Sequence, residues 1–126
     1  MKILVVDDDK TTRKMISLIL KSKGYDVVTA ENGMEGLQKL GLEQINLILT
    51  DMNMPYMDGI EFTKQVKSLP DFANIPIVMI TTEADEEEKK RAFAAGVDDY
   101  LVKPTSADQI IDSMKKIMRK IFGKKD

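Results

Sequence analysis

The sequence predicts an α/β domain of three layers, in which helices cover both faces of a parallel sheet. Short apolar runs rich in β-branched residues alternate five times with longer stretches of helical spacing, a pattern typical of strands joined by crossover helices. The runs are almost continuously apolar, as expected for strands that are buried on both faces. A length of 126 residues fits one domain with one core.

The predicted elements follow one another as five strand and helix pairs. The strands are the short apolar runs at residues 3–6, 26–29, 47–50, 76–80 and 100–102. The clearest amphipathic helices are the first, second and fifth, whose apolar stripes are Met15, Ile16, Ile19 and Leu20, then Met34, Leu37 and Leu40, then Ile110, Ile111, Met114, Ile117, Met118 and Ile121. Acids at residues 85–88, followed by basic residues, predict the start of a solvated fourth helix.

Capping residues and glycines mark the expected ends of the helices. Asp9 is a candidate cap of the first helix, with Thr11 as a rival. Gly24, Gly41 and Gly96 stand near expected helix ends, where glycine tolerates the left-handed conformation. Residues 123–126 are expected to be a frayed, solvated end.

Composition excludes several classes of function. With 43% hydrophobic residues, 32% charged residues and a net charge of −2, the chain is neither a disordered segment nor a polybasic binder of nucleic acid or membranes. It has no apolar run long enough for a membrane span or a signal peptide, so we expect a cytoplasmic protein. The absence of cysteine and histidine excludes disulfides, a serine-histidine triad and histidine zinc sites. Any phosphohistidine must therefore come from a partner.

Chemistry-bearing residues recur where the predicted strands stop. Asp7 and Asp8 follow the first strand, Asp51 the third, Thr81 the fourth and Lys103 the fifth. In a doubly wound sheet, ligands bind outside the carboxyl ends of the strands. Two carboxylates about 4 Å apart repel by roughly 4 kcal/mol at an effective dielectric near 20, and a divalent cation would remove that conflict. Magnesium prefers such hard oxygen ligands.

These residues carry a resemblance to a known family. The motifs Val-Val-Asp7-Asp8, Thr-Asp51-Met-Asn-Met-Pro55, Asp58-Gly59, Ile-Thr81 and Tyr100-Leu-Val-Lys103-Pro104 resemble a response-regulator receiver domain, especially the single-domain chemotaxis regulators of the CheY type. The resemblance covers the whole chain. It implies a flavodoxin-like (βα)5 fold with strand order 2-1-3-4-5, and one receiver domain over residues 1–126 with no effector domain.

The resemblance also implies roles for particular residues. Asp51 would accept phosphate from a phosphohistidine on a histidine kinase. Asp7, Asp8, Asp51 and the backbone carbonyl of Asn53 would hold Mg²⁺, with Mn²⁺ as an alternative. Thr81, Tyr100 and Lys103 would read out phosphorylation, and Asn53 and Glu83 would influence how fast the acyl phosphate hydrolyses. A cis peptide bond between Lys103 and Pro104 is implied as well.

The expected mechanism is a two-state switch in a phosphoacceptor signalling protein that is not an enzyme in its own right. The phosphoryl group would draw Thr81 inward and let Tyr100 move into the vacated space. The output surface would be residues 84–95 and 100–121, where a target protein such as a flagellar motor switch or a phosphatase would bind. We expect a monomer that contacts neither nucleic acid nor membrane.

Several alternatives remain open at the level of the sequence. A flavodoxin needs a hydroxyl- and glycine-rich phosphate loop after strand one, where this chain has Asp7-Asp8-Asp9-Lys10. An aspartate-nucleophile phosphatase of the haloacid dehalogenase kind has an Asp-x-Asp motif, which the same residues match only loosely. A nucleotide-hydrolysing switch would need a Walker loop, which the sequence lacks. A degenerate receiver that binds passively is disfavoured by the intact acids. A stand-alone receiver that works in a phosphorelay outside chemotaxis is a further open alternative.

Overall fold

Five strands and five helices alternate along the chain, and the strands form one parallel sheet. The computed structural model of the protein describes residues 1–122, so the expected frayed end at residues 123–126 lies outside the described residues. The elements are β1 (Lys2–Val6), α1 (Lys10–Ser22), β2 (Asp26–Ala30), α2 (Gly33–Leu42), β3 (Leu47–Thr50), α3 (Gly59–Ser68), β4 (Ile77–Thr81), α4 (Glu86–Ala95), β5 (Asp99–Val102) and α5 (Ala107–Phe122). The order β2-β1-β3-β4-β5 confirms the fold that the sequence and the resemblance predict.

The sheet separates two hydrophobic clusters because successive side chains of a strand point to opposite faces. On β1, Leu4 and Val6 belong to the cluster beneath α2, α3 and α4. Ile3 and Val5 belong to the cluster beneath α1 and α5. Phe62 of α3 and Met114 of α5 are fully buried on the two sides. The three-layer architecture therefore follows directly from the alternation within the apolar runs.

The expectation that every strand is buried on both faces is wrong for the two edge strands, for β5, where Val102 is exposed, and for β2. Its residues Asp26 and Thr29 are exposed, whereas β3 and β4 are buried throughout. The reason is position, since β2 pairs only with β1 and forms one edge of the sheet. An edge strand has neighbours on one side only, and polar residues there discourage pairing with other chains.

Three residues of the predicted apolar stripes are also exposed. Met15, Met34 and Ile121 are 55%, 59% and 44% exposed, so the stripes do not face the core at these three positions. In α1 the buried residues include Ile16 and Leu20. Met15 precedes Ile16 by one residue, a rotation of about 100° around the helix axis, which carries its side chain away from the sheet.

The helix ends mostly follow the local signals. Asp9 caps α1 by accepting a hydrogen bond of 2.9 Å from the amide of Thr12, so Asp9 and not Thr11 has this role. Gly24 and Gly96 adopt positive φ angles of 91° and 122° at helix ends, but Gly41 lies inside α2. Among residues 1–122, no helix has the length and apolar character needed to cross a membrane.

The topology creates a crevice at the carboxyl edge of the sheet. From β1 the chain crosses to β2 on one side, and β3 pairs with β1 on the other. Such a reversal leaves a gap between the loops that follow the strands on either side of it. The loops after β1 and β3 flank this gap, with the loops after β4 and β5 beyond them.

Candidate functional site

Three carboxylates meet in this crevice. One oxygen from each of Asp7, Asp8 and Asp51 lies within 4.8 Å of the other two. Asp7 and Asp51 are buried, with relative exposures of 2% and 9%, and Asp8 is exposed. The backbone explains why they meet: Asp51 donates its amide hydrogen to the carbonyl of Val6 over 3.0 Å, which continues the pairing of β1 with β3 past the strand ends.

One ammonium group faces the two buried carboxylates. Lys103 follows β5, and its Nζ lies 3.2 Å from Asp7 Oδ2 and 3.8 Å from Asp51 Oδ2. The Lys103 side chain is only 20% exposed, so the charges meet where water screens them weakly. The peptide bond between Lys103 and Pro104 is cis, as the resemblance implies. The site thus combines three negative charges with one positive charge.

The electrostatics of Asp51 reflect this crowding. Burial raises the pKa of the Asp51 carboxyl above its ordinary value, and the carboxylate of Asp7 adds to the increase. The Lys103 ammonium opposes both, and the Thr81 hydroxyl gives slight further support to the ionised form. The amide of Met52 also donates a 2.7 Å hydrogen bond to Asp51 Oδ1. A further positive charge at this point would favour the ionised carboxylate.

The loop after β3 is held closely against the start of α3. Gly59 donates its amide hydrogen to the carbonyl of Met52 over 2.7 Å. A Cβ atom at Gly59 would collide with the backbone carbonyl of Asp51 and lie 2.9 Å from the Cα of Met52. Asp58 caps α3 by accepting from the amide of Glu61 at 2.8 Å. The Asp58-Gly59 pair therefore has a structural role, since Asp58 caps α3 and Gly59 is its first residue.

The proposed switch residues lie beside the acids, on β4 and β5. Thr81 is fully buried as the last residue of β4, and its Oγ1 accepts a 3.2 Å hydrogen bond from the amide of Glu83. Tyr100 is 6% exposed and donates its hydroxyl to the carbonyl of Glu83 over 2.7 Å. Burial, together with nearby acids, raises the pKa of the Tyr100 hydroxyl, which keeps it a donor. The Tyr100 ring already lies inside the protein in this structure.

The remaining site residues differ in exposure. Asn53 is exposed and Glu83 is partly exposed, so both can meet water at the mouth of the crevice. One supporting residue was missed: Arg13 of α1 donates from Nη1 to the backbone carbonyl of Asp7 over 2.6 Å. Its position in the first turn of α1, four residues after the capping Asp9, was the available signal.

The arrangement can bind a hard divalent cation and a charged oxygen-rich group at adjacent positions. Three carboxylates that approach one point provide oxygen ligands of the kind that such cations prefer. Lys103 supplies a positive charge 3.8 Å from Asp51 Oδ2. Asp7 and Asp51 each lie close both to the other acids and to the Lys103 ammonium.

Comparison with known proteins agrees with this geometry. A family model described as the response regulator receiver domain matches residues 3–115. The chemotaxis protein CheY1 of Helicobacter pylori (strain ATCC 700392 / 26695) is 41% identical over 120 residues, which cover 94% of this chain and 97% of that protein. A transcriptional regulatory protein, the CpxR homolog of Haemophilus influenzae, is 37% identical over 94% of this chain and 51% of its own length.

A solved structure shows the same architecture. The chemotaxis protein CheY4 of Vibrio cholerae superposes with a TM-score of 0.87 at 37% identity, over 91% of this chain and 96% of that one. The relatives thus include both chemotaxis proteins and a transcriptional regulator. Together with the acidic crevice, these matches establish that the chain belongs to the response regulator receiver domain family of two-component systems.

Proposed function

We propose that this protein is a phosphoryl-accepting switch, in which Asp51 takes a phosphoryl group from a phosphohistidine of a histidine kinase. The observation that carries the proposal is the meeting of Asp7, Asp8 and Asp51 at one point, with the Lys103 ammonium beside it. A structural salt bridge needs one acid for one base. Two additional acids in the same crevice are costly unless a ligand uses them.

The proposed step is a displacement at phosphorus. An Asp51 carboxylate oxygen forms a bond to phosphorus while the phosphorus–nitrogen bond of phosphohistidine breaks, and its electron pair stays on the imidazole nitrogen, which takes up a proton. Lys103 lies 3.8 Å from Asp51 Oδ2, within reach of a phosphoryl oxygen on that carboxylate. A carboxylate is an established kind of nucleophile toward phosphorus.

Magnesium is the cation that the acids fit best. Asp7, Asp8 and Asp51 would hold it together with the backbone carbonyl of Asn53, and Mn²⁺ has similar ligand preferences. The bound ion would offset the added charge of roughly −2 that a phosphoryl group carries at neutral pH. The Lys103 ammonium, which also lies beside Asp7, would offset part of the charge of the acids.

The signal would leave the site through Thr81 and Tyr100. The Thr81 hydroxyl is buried at the end of β4 next to the acids, where it could donate to a phosphoryl oxygen. A shift of Thr81 would also move Glu83, since the Glu83 amide donates to Thr81 Oγ1. Tyr100 in turn donates to the carbonyl of Glu83. Phosphorylation would thus stabilise one position of the segment between β4 and α4 and one orientation of Tyr100.

A target protein would read this change on α4, β5 and α5. Phe93 and Val102 are 42% and 41% exposed on that surface, which covers residues 84–95 and 100–121. The similarity to chemotaxis regulators over 97% of the length of the Helicobacter protein supports a role in chemotaxis, with a motor switch or a phosphatase as the target. A receiver in another phosphorelay would use the same chemistry.

Labelling by a small phosphodonor tests the phosphoacceptor. The protein is incubated with radioactive acetyl phosphate and magnesium, and hydroxylamine-sensitive label is counted. We expect label on the natural protein and none on Asp51→Asn. Asp71→Asn is the matched control, because Asp71 is an exposed acid on the loop after α3 and its loss should change nothing. Equal labelling of Asp51→Asn and the natural protein would refute the assignment.

A further inference from the structure

Tyr56, five residues beyond Asp51, combines full exposure with an unusual backbone. Its relative exposure is 102%, and its φ angle is 70°. It is the one non-glycine residue with a positive φ among residues 1–122. An aromatic side chain in this region costs roughly 1–2 kcal/mol, and full exposure gains no burial in return. Strain of this kind tends to persist at functional sites.

The surrounding loop holds Tyr56 in place. The amide of Met57 donates to the carbonyl of Pro55 over 2.8 Å, which closes a tight turn around Tyr56. Met57 is 8% exposed and is anchored against Gly33 at the start of α2, where a Cβ atom would lie 2.5 Å from the Met57 sulfur. Because Met57 is fixed on the inside of the loop, the Tyr56 ring remains in solvent.

A second apolar side chain belongs to the same part of the surface. Met34 follows Gly33 and is 59% exposed. Since Met57 packs on Gly33, their chain neighbours Tyr56 and Met34 lie on adjoining segments at the carboxyl edge of the sheet. We call these two side chains the apolar rim, and Tyr56 lies on the loop between β3 and α3 that begins at Asp51.

The burial of Asp51 determines what must touch this rim. Asp51 is 9% exposed and Asp7 is 2% exposed, so a phosphohistidine can reach Asp51 only if its side chain projects into the crevice. The protein surface around that histidine must then contact the loops at the mouth. Residues 1–126 contain no histidine, so this surface lies outside them.

We propose that Tyr56, together with Met34, is an anchoring contact for the phosphohistidine-bearing domain of the kinase, and that it sets the preference for a protein donor over a small one. The proposal rests on the proposed function. The partner surface would carry an apolar hollow beside its phosphorylated histidine. Tyrosine suits this role because it buries a large rigid ring at an interface.

Two phosphodonors with the same phosphorus–nitrogen bond, one small and one a protein, distinguish an effect on docking from an effect on the chemical step. Phosphoimidazole offers the phosphorus–nitrogen bond without any protein surface. The protein donors are histidine kinases of the source organism, purified as fragments that contain the phosphorylatable histidine and labelled from radioactive ATP. The kinase that labels the natural chain fastest is used, and kcat/KM for phosphotransfer is measured with each donor.

The variants isolate the ring from the backbone. Tyr56→Gly removes the ring and accepts the positive φ without strain, and Tyr56→Phe keeps the ring. Leu42→Ala is the matched control, since Leu42 is 80% exposed at the end of α2, on the opposite edge of the sheet. We expect Tyr56→Gly to lose about tenfold in kcat/KM with the kinase, the effect of a moderate interface anchor. Its rate with phosphoimidazole should be unchanged.

Tyr56→Phe and Leu42→Ala should behave like the natural protein with both donors. An equal loss for Tyr56→Gly with kinase and phosphoimidazole would overturn the proposal, because the residue would then act on the chemistry. No loss with the kinase would overturn it too, as would a natural chain that takes phosphate from phosphoimidazole but from no kinase. A natural chain that phosphoimidazole cannot label would instead refute the proposed function itself.

Discussion

The hydroxyl of Tyr100 donates a 2.7 Å hydrogen bond to the backbone carbonyl of Glu83, seventeen residues earlier in the chain. This bond joins β5 to the segment between β4 and α4, and the amide of Glu83 is itself bonded to Thr81 Oγ1 at 3.2 Å. A change at Thr81 therefore has a direct route to Tyr100. Since the Tyr100 ring already lies inside, we expect phosphorylation to stabilise this arrangement further.

Tyr100→Phe should lower the free energy of unfolding by about 1 kcal/mol, the usual net value of one hydrogen bond. The ring would keep its contact with Phe93, whose centroid lies 6.4 Å away, so the change isolates the hydroxyl. Urea unfolding measures the effect. Tyr25→Phe, at a half-buried position just before β2, is the control for loss of a phenol hydroxyl. An unchanged stability of Tyr100→Phe would contradict the importance of the bond to Glu83.

Magnesium should raise the midpoint of thermal unfolding. An ion that binds only the folded protein stabilises it by about 2.7 kcal/mol at a hundredfold excess over Kd, which corresponds to several degrees for a domain of this size. Asp8→Ala should reduce the shift, because Asp8 contributes one of the three converging carboxylates. Asp71→Ala should not. Equal shifts for the natural protein and Asp8→Ala would argue against a site formed by these acids.

Two reciprocal substitutions test the backbone at positive φ. Tyr56→Gly should raise the free energy of unfolding by about 1 kcal/mol, because glycine accepts the φ angle of 70° without steric cost. Gly24→Ala should lower it by a similar amount, since φ is 91° there and an added Cβ would meet nothing within 4 Å. Urea unfolding of both variants checks the pair. A destabilised Tyr56→Gly would mean that the ring makes stabilising contacts despite its exposure.

Local pattern and parallel topology account for much of the architecture and of the site. Asp7, Asp51, Thr81 and Lys103 each stand at or just after the end of an apolar run, and carboxyl ends of parallel strands share one edge. The sequence could therefore predict their meeting without coordinates. The order of the strands in the sheet could not be predicted from the residues themselves. That prediction came from the resemblance to the receiver family.

Features that depend on distant parts of the chain could not be predicted in this way. Helical spacing placed Met15 and Met34 in the apolar stripes of their helices. Spacing alone does not predict which part of such a stripe is covered by another element and which part stays exposed. The positive φ of Tyr56 belongs to a turn whose next residue, Met57, packs on Gly33, more than twenty residues away in the chain. The inward position of Tyr100 depends on a carbonyl of another segment. These outcomes are decided by tertiary packing.

The phosphorylated protein should be short-lived because polar residues on the loops after β3 and β4 are accessible to water. Asn53 and Glu83 lie two residues beyond Asp51 and Thr81, at positions where water can reach them, and each can orient a water molecule toward phosphorus. Asn53→Ala should lengthen the lifetime of labelled protein severalfold, followed as loss of label after removal of acetyl phosphate. Gln44→Ala, on the opposite edge before β3, is the control. A lifetime of many hours for the phosphorylated form of the natural protein would contradict this prediction.

Lys67 of α3 is a half-buried cation outside the site. Its Nζ donates to the backbone carbonyls of Ala73 and Ile75 over 3.1 and 2.8 Å, which ties the end of α3 to the loop before β4. Burial lowers the pKa of the Lys67 ammonium, and the carboxylate of Asp98 opposes the decrease. A neutral amine retains two N–H donors, so Lys67 can keep both carbonyl contacts after it loses its charge.

The stability of the protein should therefore depend on Lys67 at alkaline pH. A base whose pKa is lower in the folded state binds fewer protons when folded, so the free energy of unfolding rises with pH between the folded value and the ordinary value of 10.5. Relative to Lys67→Met, the natural protein should gain stability as the pH rises toward the ordinary value of 10.5, measured by urea unfolding. Lys64→Met, an exposed position on the same helix, should show no such trend. A difference between the natural protein and Lys67→Met that stays constant with pH would show that the ammonium carries no burial cost.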